Sequence, residues 1–128
     1  MSFLDRVRDI LKTKHADLRY TEEEGTIVVH AQTPSGFDVW ISEDLIVGYD
    51  AWHEHFDTPE EALKCFAFAF SDRCRLKVTY RGSSPYKWIL ESLEDGQWVE
   101  VSTTGLFFFP FWRARRLEYR QNGSLKGG

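Results

Sequence analysis

The residues whose types and spacing could do chemistry begin with His53-Glu54-His55. In a strand, alternate side chains share a face, so the two imidazoles would lie about 7 Å apart on one side. So placed, they could hold a divalent cation, with Asp57 or His30 adding a ligand. The same spacing describes an ordinary exposed strand, and the sequence fixes neither a cysteine pair nor a third ligand. The expectation is therefore no cofactor and no metal, with His53 and His55 as the metal candidates.

Three other stretches invite a functional reading. Tyr80-Arg81-Gly82 and Pro85-Tyr86-Lys87-Trp88 flank a short loop, with aromatic and basic residues at its base. Such a loop can cradle an anion or a planar ligand, or it can be a plain hairpin connection. The run Phe107-Phe108-Phe109, followed by Pro110, Phe111 and Trp112, is the densest aromatic segment. Phe107 and Phe108 would point to opposite faces of a strand, so both faces must be covered or one is an interface. Pro110 belongs on an edge or at a bulge. If Phe108 or Trp112 lies at the surface, self-association or a partner follows, because aromatics anchor interfaces. Finally, Arg113 and Arg115 would share one face, and Arg116 and Arg120 the other. That is no single basic stripe, and charges on an edge strand also guard against aggregation.

No motif supplies a nucleophile or a phosphate cradle: Gly-x-Ser-x-Gly, Gly-x-Gly-x-x-Gly, the phosphate loop and His-Glu-x-x-His are all missing. Cys65 lies in an apolar helical segment and reads as core. With only Cys65 and Cys74 present, free thiols in a reducing compartment are expected, hence a cytoplasmic protein. No apolar run approaches the roughly 20 residues that span a bilayer, and Asp5 and Asp9 suit a signal peptide poorly. Residues 1–64 hold 6 Lys/Arg against 14 Asp/Glu, and residues 65–128 hold 10 against 6. Such asymmetry fits two faces of one domain and makes nucleic acid an unlikely partner.

Something must position these residues, and the chain is organised around Trp52–Asp72. Thr58 caps a helix there, Pro59 takes its first position, and Glu61 completes a capping box. The segment Cys65–Phe70 has no polar residue, which predicts a helix over Thr58–Ser71 buried on every face. Ala62, Phe66, Ala69 and Phe70 form its main stripe. Upstream, Ser2 to about His15 is an amphipathic helix, with Ser2 and Asp5 resembling a capping box. Strands are expected at Asp17–Glu23, Thr26–Thr33, Phe37–Ser42 and Leu45–Phe56, with Gly48 marking a bulge or close approach. After the central helix come Arg75–Arg81, Tyr86–Leu93, Trp98–Val101 and a basic final strand Arg113–Gln121; Asp95-Gly96 is the clearest hairpin turn. The fold class is α+β, with two helices on a mainly antiparallel sheet of about seven strands, in the order α-β-β-β-β-α-β-β-β(-β). One domain should cover 1–122 and a flexible tail 123–128.

The combination WHEHF, TPEEAL, YRGSSPYKW and TTGLFFFPFW resembles a group of small bacterial proteins of unassigned function, over Phe37 to Gln121. The resemblance implies a compact bacterial cytosolic domain and no particular activity.

Three functional classes follow, in this order. The first is a protein-interaction module of inhibitor or immunity-like kind, working through an aromatic edge. The second is a small-ligand binding protein with a pocket lined by Trp40, Trp52, Tyr86 and Trp88. The third is a metal-dependent enzyme using His53 and His55. The binding residues expected across these readings are Trp52, His53, His55, Arg81, Tyr86, Trp88, Phe108 and Trp112; no catalytic residue is assigned.

Overall fold

Ser2 starts the first helix, α1 (Phe3–Lys14). Its hydroxyl accepts the Asp5 N–H at 3.2 Å, and the Asp5 carboxylate accepts the Ser2 N–H at 3.0 Å. The two bonds satisfy backbone donors that a helix start leaves open. The apolar stripe of the helix is buried at Leu4, Val7 and Leu11. The computed structural model describes residues 2–106 and 111–122. The expectations placed on Phe107, Phe108, Phe109 and Pro110, and on the 123–128 tail, lie outside the described residues.

A five-stranded antiparallel meander follows: β1 (Tyr20–Glu23), β2 (Thr26–Val29), β3 (Val39–Ser42), β4 (Ile46–Tyr49) and β5 (Trp52–His55), in spatial order β1-β2-β3-β4-β5. Glu24 and Gly25, with φ of 47° and 78°, make the tight turn between the first two strands. The alternation at Phe37, Val39 and Ile41 emerges as buried side chains on one face.

Leu45–Phe56 is a hairpin and not one long strand. Its turn is Asp50-Ala51, with Asp50 at φ 52°. That left-handed position is held from across the sheet. The Asp38 N–H donates to the Asp50 carboxylate at 2.9 Å, the Asp50 N–H donates to the Asp38 carbonyl at 2.8 Å, and the Trp40 indole donates to the Asp50 carbonyl at 2.8 Å. Gly48 is the expected close approach, lying opposite Trp40 in the register.

Thr58 caps the second helix, α2 (Pro59–Phe68), by accepting the Glu61 N–H at 3.2 Å. The Glu61 carboxylate takes the Thr58 hydroxyl at 3.0 Å, so the expected reciprocal bond to the cap's own N–H is replaced. Ala62 and Phe66 are buried, as are Ala69 and Phe70 just beyond the last turn. The helix is not covered on every side, because Lys64 and Ala67 are exposed and Leu63 and Phe68 are half-buried.

The remaining strands form a second antiparallel sheet: β6 (Cys74–Arg81), β7 (Ser84–Glu94), β8 (Gln97–Gly105) and β9 (Arg115–Arg120), in spatial order β8-β7-β6-β9. The turn Gly82-Ser83 joins β6 to β7, and Pro85 lies within β7 beside the register shift at Thr79/Tyr80. A proline at an irregularity removes no regular ladder bond. Asp95-Gly96 is the expected tight turn, with φ of 50° and 80°.

The single sheet of about seven strands is therefore corrected to two sheets, of five and four strands, among the described residues. The alternating pattern identifies a strand's faces and says nothing about which sheet it joins. Here the two sheets meet where β5 lies beside β8. The hydroxyl of Thr104 accepts the His53 N–H at 3.3 Å, and Ser102 donates to the Glu54 carboxylate at 3.0 Å. One hydrophobic core draws on both helices and both sheets, from Leu4 and Val7 through Tyr49, Trp52 and Phe66 to Leu76 and Leu90.

Candidate functional site

Three places gather the expected residues. The first is the connection from β8 to β9. Phe111 and Trp112 are 69% and 72% exposed, and their rings meet edge to face at 5.4 Å. The segment after them is tied down. The Gly82 N–H donates to the Ala114 carbonyl at 2.8 Å, and the Gly82 Cα lies so close to Arg113 that a Cβ would press on its side chain. Leu117 and Tyr119 on β9 are also substantially exposed. Burying a large aromatic stabilises a protein by roughly 2–3 kcal/mol, so two left exposed beside an edge strand are, among the described residues, the surface feature most in need of a function.

Second is the β5 region. Trp52 is buried in the core, its ring 4.8 Å from that of Tyr49, and its indole N–H has no acceptor among the described residues. Trp52 lines a groove of about 480 Å³ with Phe56, Phe68, Leu90 and Val101, rimmed by Glu54 and Lys64. His53 and His55 are exposed on the other side of β5. The His53 Nδ1 lies 3.1 Å from the Ala51 carbonyl, and its ring lies 6.2 Å from that of Trp40. His30, weighed as a third ligand, has its Nε2 3.0 Å from the Thr21 hydroxyl on the far edge of the meander. Among the described residues no three His, Cys, Asp or Glu side chains gather closely enough to share an ion.

The third is the turn between β6 and β7. Arg81 lies 6.0 Å over the Tyr86 ring and points a guanidinium N–H at the Arg113 carbonyl, 3.5 Å away. Its Nε is buried with no partner among the described residues. Trp88, by contrast, is only 9% exposed and belongs to the core. Of the four aromatics expected to share one pocket, only Trp52 lines the groove described above.

The sequence offered no hint of a further cluster. Arg75 is clasped between the rings of Trp98 at 4.3 Å and Tyr119 at 4.2 Å, and pairs with Glu91 at 2.6 Å. These four residues come from four different strands, so only the strand order brings them together. On the other face of β9, Arg116 lies 4.1 Å over the Tyr80 ring, and Glu118 pairs with Arg116 at 3.0 Å and with Arg120 at 2.6 Å. Arg120 also donates to the Tyr80 hydroxyl and to the Pro34 and Gly36 carbonyls.

Neither thiol is set up as a nucleophile. Burial pushes the Cys65 pKa up to about 11, and burial raises that of Cys74 further still. A protonated thiol does not attack at neutral pH. The Tyr49 hydroxyl donates to the Cys65 carbonyl, which ties α2 to the meander. Burial also raises the pKa of Asp50, against the lowering effect of its bond from the Asp38 N–H.

No helix of the described residues is long and apolar enough to cross a membrane. Compared with family models, curated proteins and solved structures, the chain matches none.

Proposed function

We propose that this chain is a protein-interaction module, of inhibitor or immunity-like kind, that engages its partner through the Phe111–Trp112 tip and the strand edge beside it. The observation that carries this reading is the exposure of those two rings, 69% and 72%. Exposed aromatics flanked by arginines are the composition of interface anchors. Arg113 and Arg115 border the tip, so the partner surface is acidic around an apolar pocket. The resemblance to small bacterial proteins of unassigned function, and a cytoplasmic location, belong to the same reading.

The test is a pull-down from native lysate with wild-type and Trp112→Ala baits. Wild-type should retain one stoichiometric partner. The alanine bait should bind it at least about 30-fold more weakly, the cost of losing an anchor of roughly 2 kcal/mol. Equal capture by both baits would remove the tip from the interface.

A second reading is favoured by the orphaned indole N–H of Trp52 beside the groove between α2, β5 and β8. An apolar ligand carrying a hydrogen-bond acceptor would satisfy a donor whose burial without a partner costs about 1–3 kcal/mol. A thermal-shift screen should then show one class of such compounds raising the melting temperature of wild type and not of Trp52→Phe. An identical shift in both proteins would detach the ligand from this donor.

A further inference from the structure

The outer edge of β9 carries a more specific message than its exposure. Among the described residues β9 has one neighbour in the sheet, β6. The register that pairs Arg81 with Arg115 continues to Gly82 and Ala114, where the Gly82 N–H donates to the Ala114 carbonyl at 2.8 Å. In an antiparallel ladder, alternate residues turn both backbone groups to the same neighbour. Ala114, Arg116, Glu118 and Arg120 therefore face β6, while Arg115, Leu117 and Tyr119 turn their N–H and C=O outward. The next residue of the outward set, Gln121, confirms the direction: its N–H leaves the sheet and donates to the Ser35 carbonyl at 2.9 Å. The open edge thus runs from Arg115 to Tyr119 and stops there.

We propose that this edge is a self-recognition site, and that a second copy of the chain lays its own β9 antiparallel to it about a two-fold axis through Leu117. The proposal rests on reading this region as an interaction surface and adds a second copy of the chain as the occupant of its strand edge, distinct from the acidic partner of the tip. On this axis the outward residues meet one another, Arg115 opposite Tyr119 and Leu117 opposite Leu117, so each outward-facing backbone donor finds an outward-facing acceptor. The side chains agree with the backbone. Arg115 meets an aromatic ring on one face, flanking the apolar contact at Leu117. On the other face Arg116 meets Glu118 twice, once on each side of the axis.

Neighbouring registers fail. Moving the axis to Glu118 sets Glu118 against itself and Arg116 against Arg120. Moving it to Arg116 sets Arg116 against itself. The sequence RRLEYR is self-complementary about its leucine and about neither neighbouring residue.

The experiment is a paired charge reversal, read by sedimentation or light scattering from micromolar to millimolar concentration. Wild type should form a concentration-dependent dimer. Arg116→Glu and Glu118→Arg should each weaken it at least tenfold, because each sets like charges opposite one another on both sides of the axis. An equimolar mixture of the two variants should restore the dimer, since every such pair is then Glu opposite Arg. Circular dichroism must first show both variants folded. If either is not, Leu117→Cys replaces them: two-fold pairing holds the new thiols at a Cα separation of about 5.5 Å, so oxidation should give a covalent dimer. The proposal is overturned by a wild type that stays monomeric, by a dimer indifferent to both reversals, or by a mixture that does not recover. Partner capture lost in Trp112→Ala alongside a monomeric wild type would leave the interaction reading standing and sink the second copy. The reverse pattern would do the opposite.

Discussion

Phe66→Ala should cost about 3–5 kcal/mol, the range for truncating a buried aromatic. Phe66 is 0% exposed, on the inner face of α2, with its ring edge-on to Phe70 at 5.4 Å. Its neighbours are held from several directions. Tyr49 is tied to α2 by its hydroxyl, and Phe70 is in contact with His15 at the end of α1. A hole left here cannot close by moving one side chain, so the transfer loss and the cavity loss should both appear. In urea the midpoint should fall with the slope unchanged, since the surface exposed on unfolding is nearly the same. A loss of only a few tenths of a kcal/mol would remove α2 from the core and with it the account of how the two sheets share an interior.

That element was legible in advance because its signals are local. A cap, a proline and an apolar stripe lie within a few residues of one another, and the same holds for the Ser2 box of α1 and for Asp95-Gly96. What sequence could not supply was long-range. Asp50-Ala51 carries no glycine, so nothing local marks it as a turn. Asp50 keeps its left-handed φ because Asp38 and Trp40, on another strand, bond to it. The division into two sheets escaped for a related reason. β5 and β8 are both edge strands, and their meeting rests on side-chain hydroxyls at Ser102 and Thr104 and not on a ladder.

The candidate residues divide along the same line. Trp112 stood out because the aromatic density around Pro110 is visible in the chain, and its side chain lies at the surface. Trp88 and Trp52 were both weighed as binding residues because aromatics were plentiful; the structure packs Trp88 into the core, while the buried Trp52 also lines the groove between α2, β5 and β8. The clasp of Arg75 between Trp98 and Tyr119 is invisible to sequence, since its members come from three different strands and meet only through strand order. The self-complementarity of RRLEYR was written in the sequence throughout. It acquired meaning only once β9 was seen to be an edge and Gly82 showed which residues face outward.

Gly48→Ala should be the most damaging single-methyl change, costing about 1–3 kcal/mol, the usual cost of forcing extra volume into a packed site. Gly48 is not in a left-handed conformation, so alanine suffers no backbone strain there. In a strand interior alanine would ordinarily be tolerated at least as well as glycine. The expected loss is therefore steric: the new Cβ would fall inside the indole of Trp40, which lies directly across the strand pair. Trp40 is not free to swing away, because its N–H holds the Asp50 carbonyl and so the turn that sets β5 in place. This predicts a strong coupling. In a Trp40→Ala background, already weakened by the lost bond and ring, Gly48→Ala should cost close to nothing, giving an interaction energy of about 1 kcal/mol or more between the two positions. The measurement is a double-mutant cycle by urea melts. If Gly48→Ala costs the same with and without the indole, its effect comes from the backbone, and Trp40 is not what requires a glycine on β4.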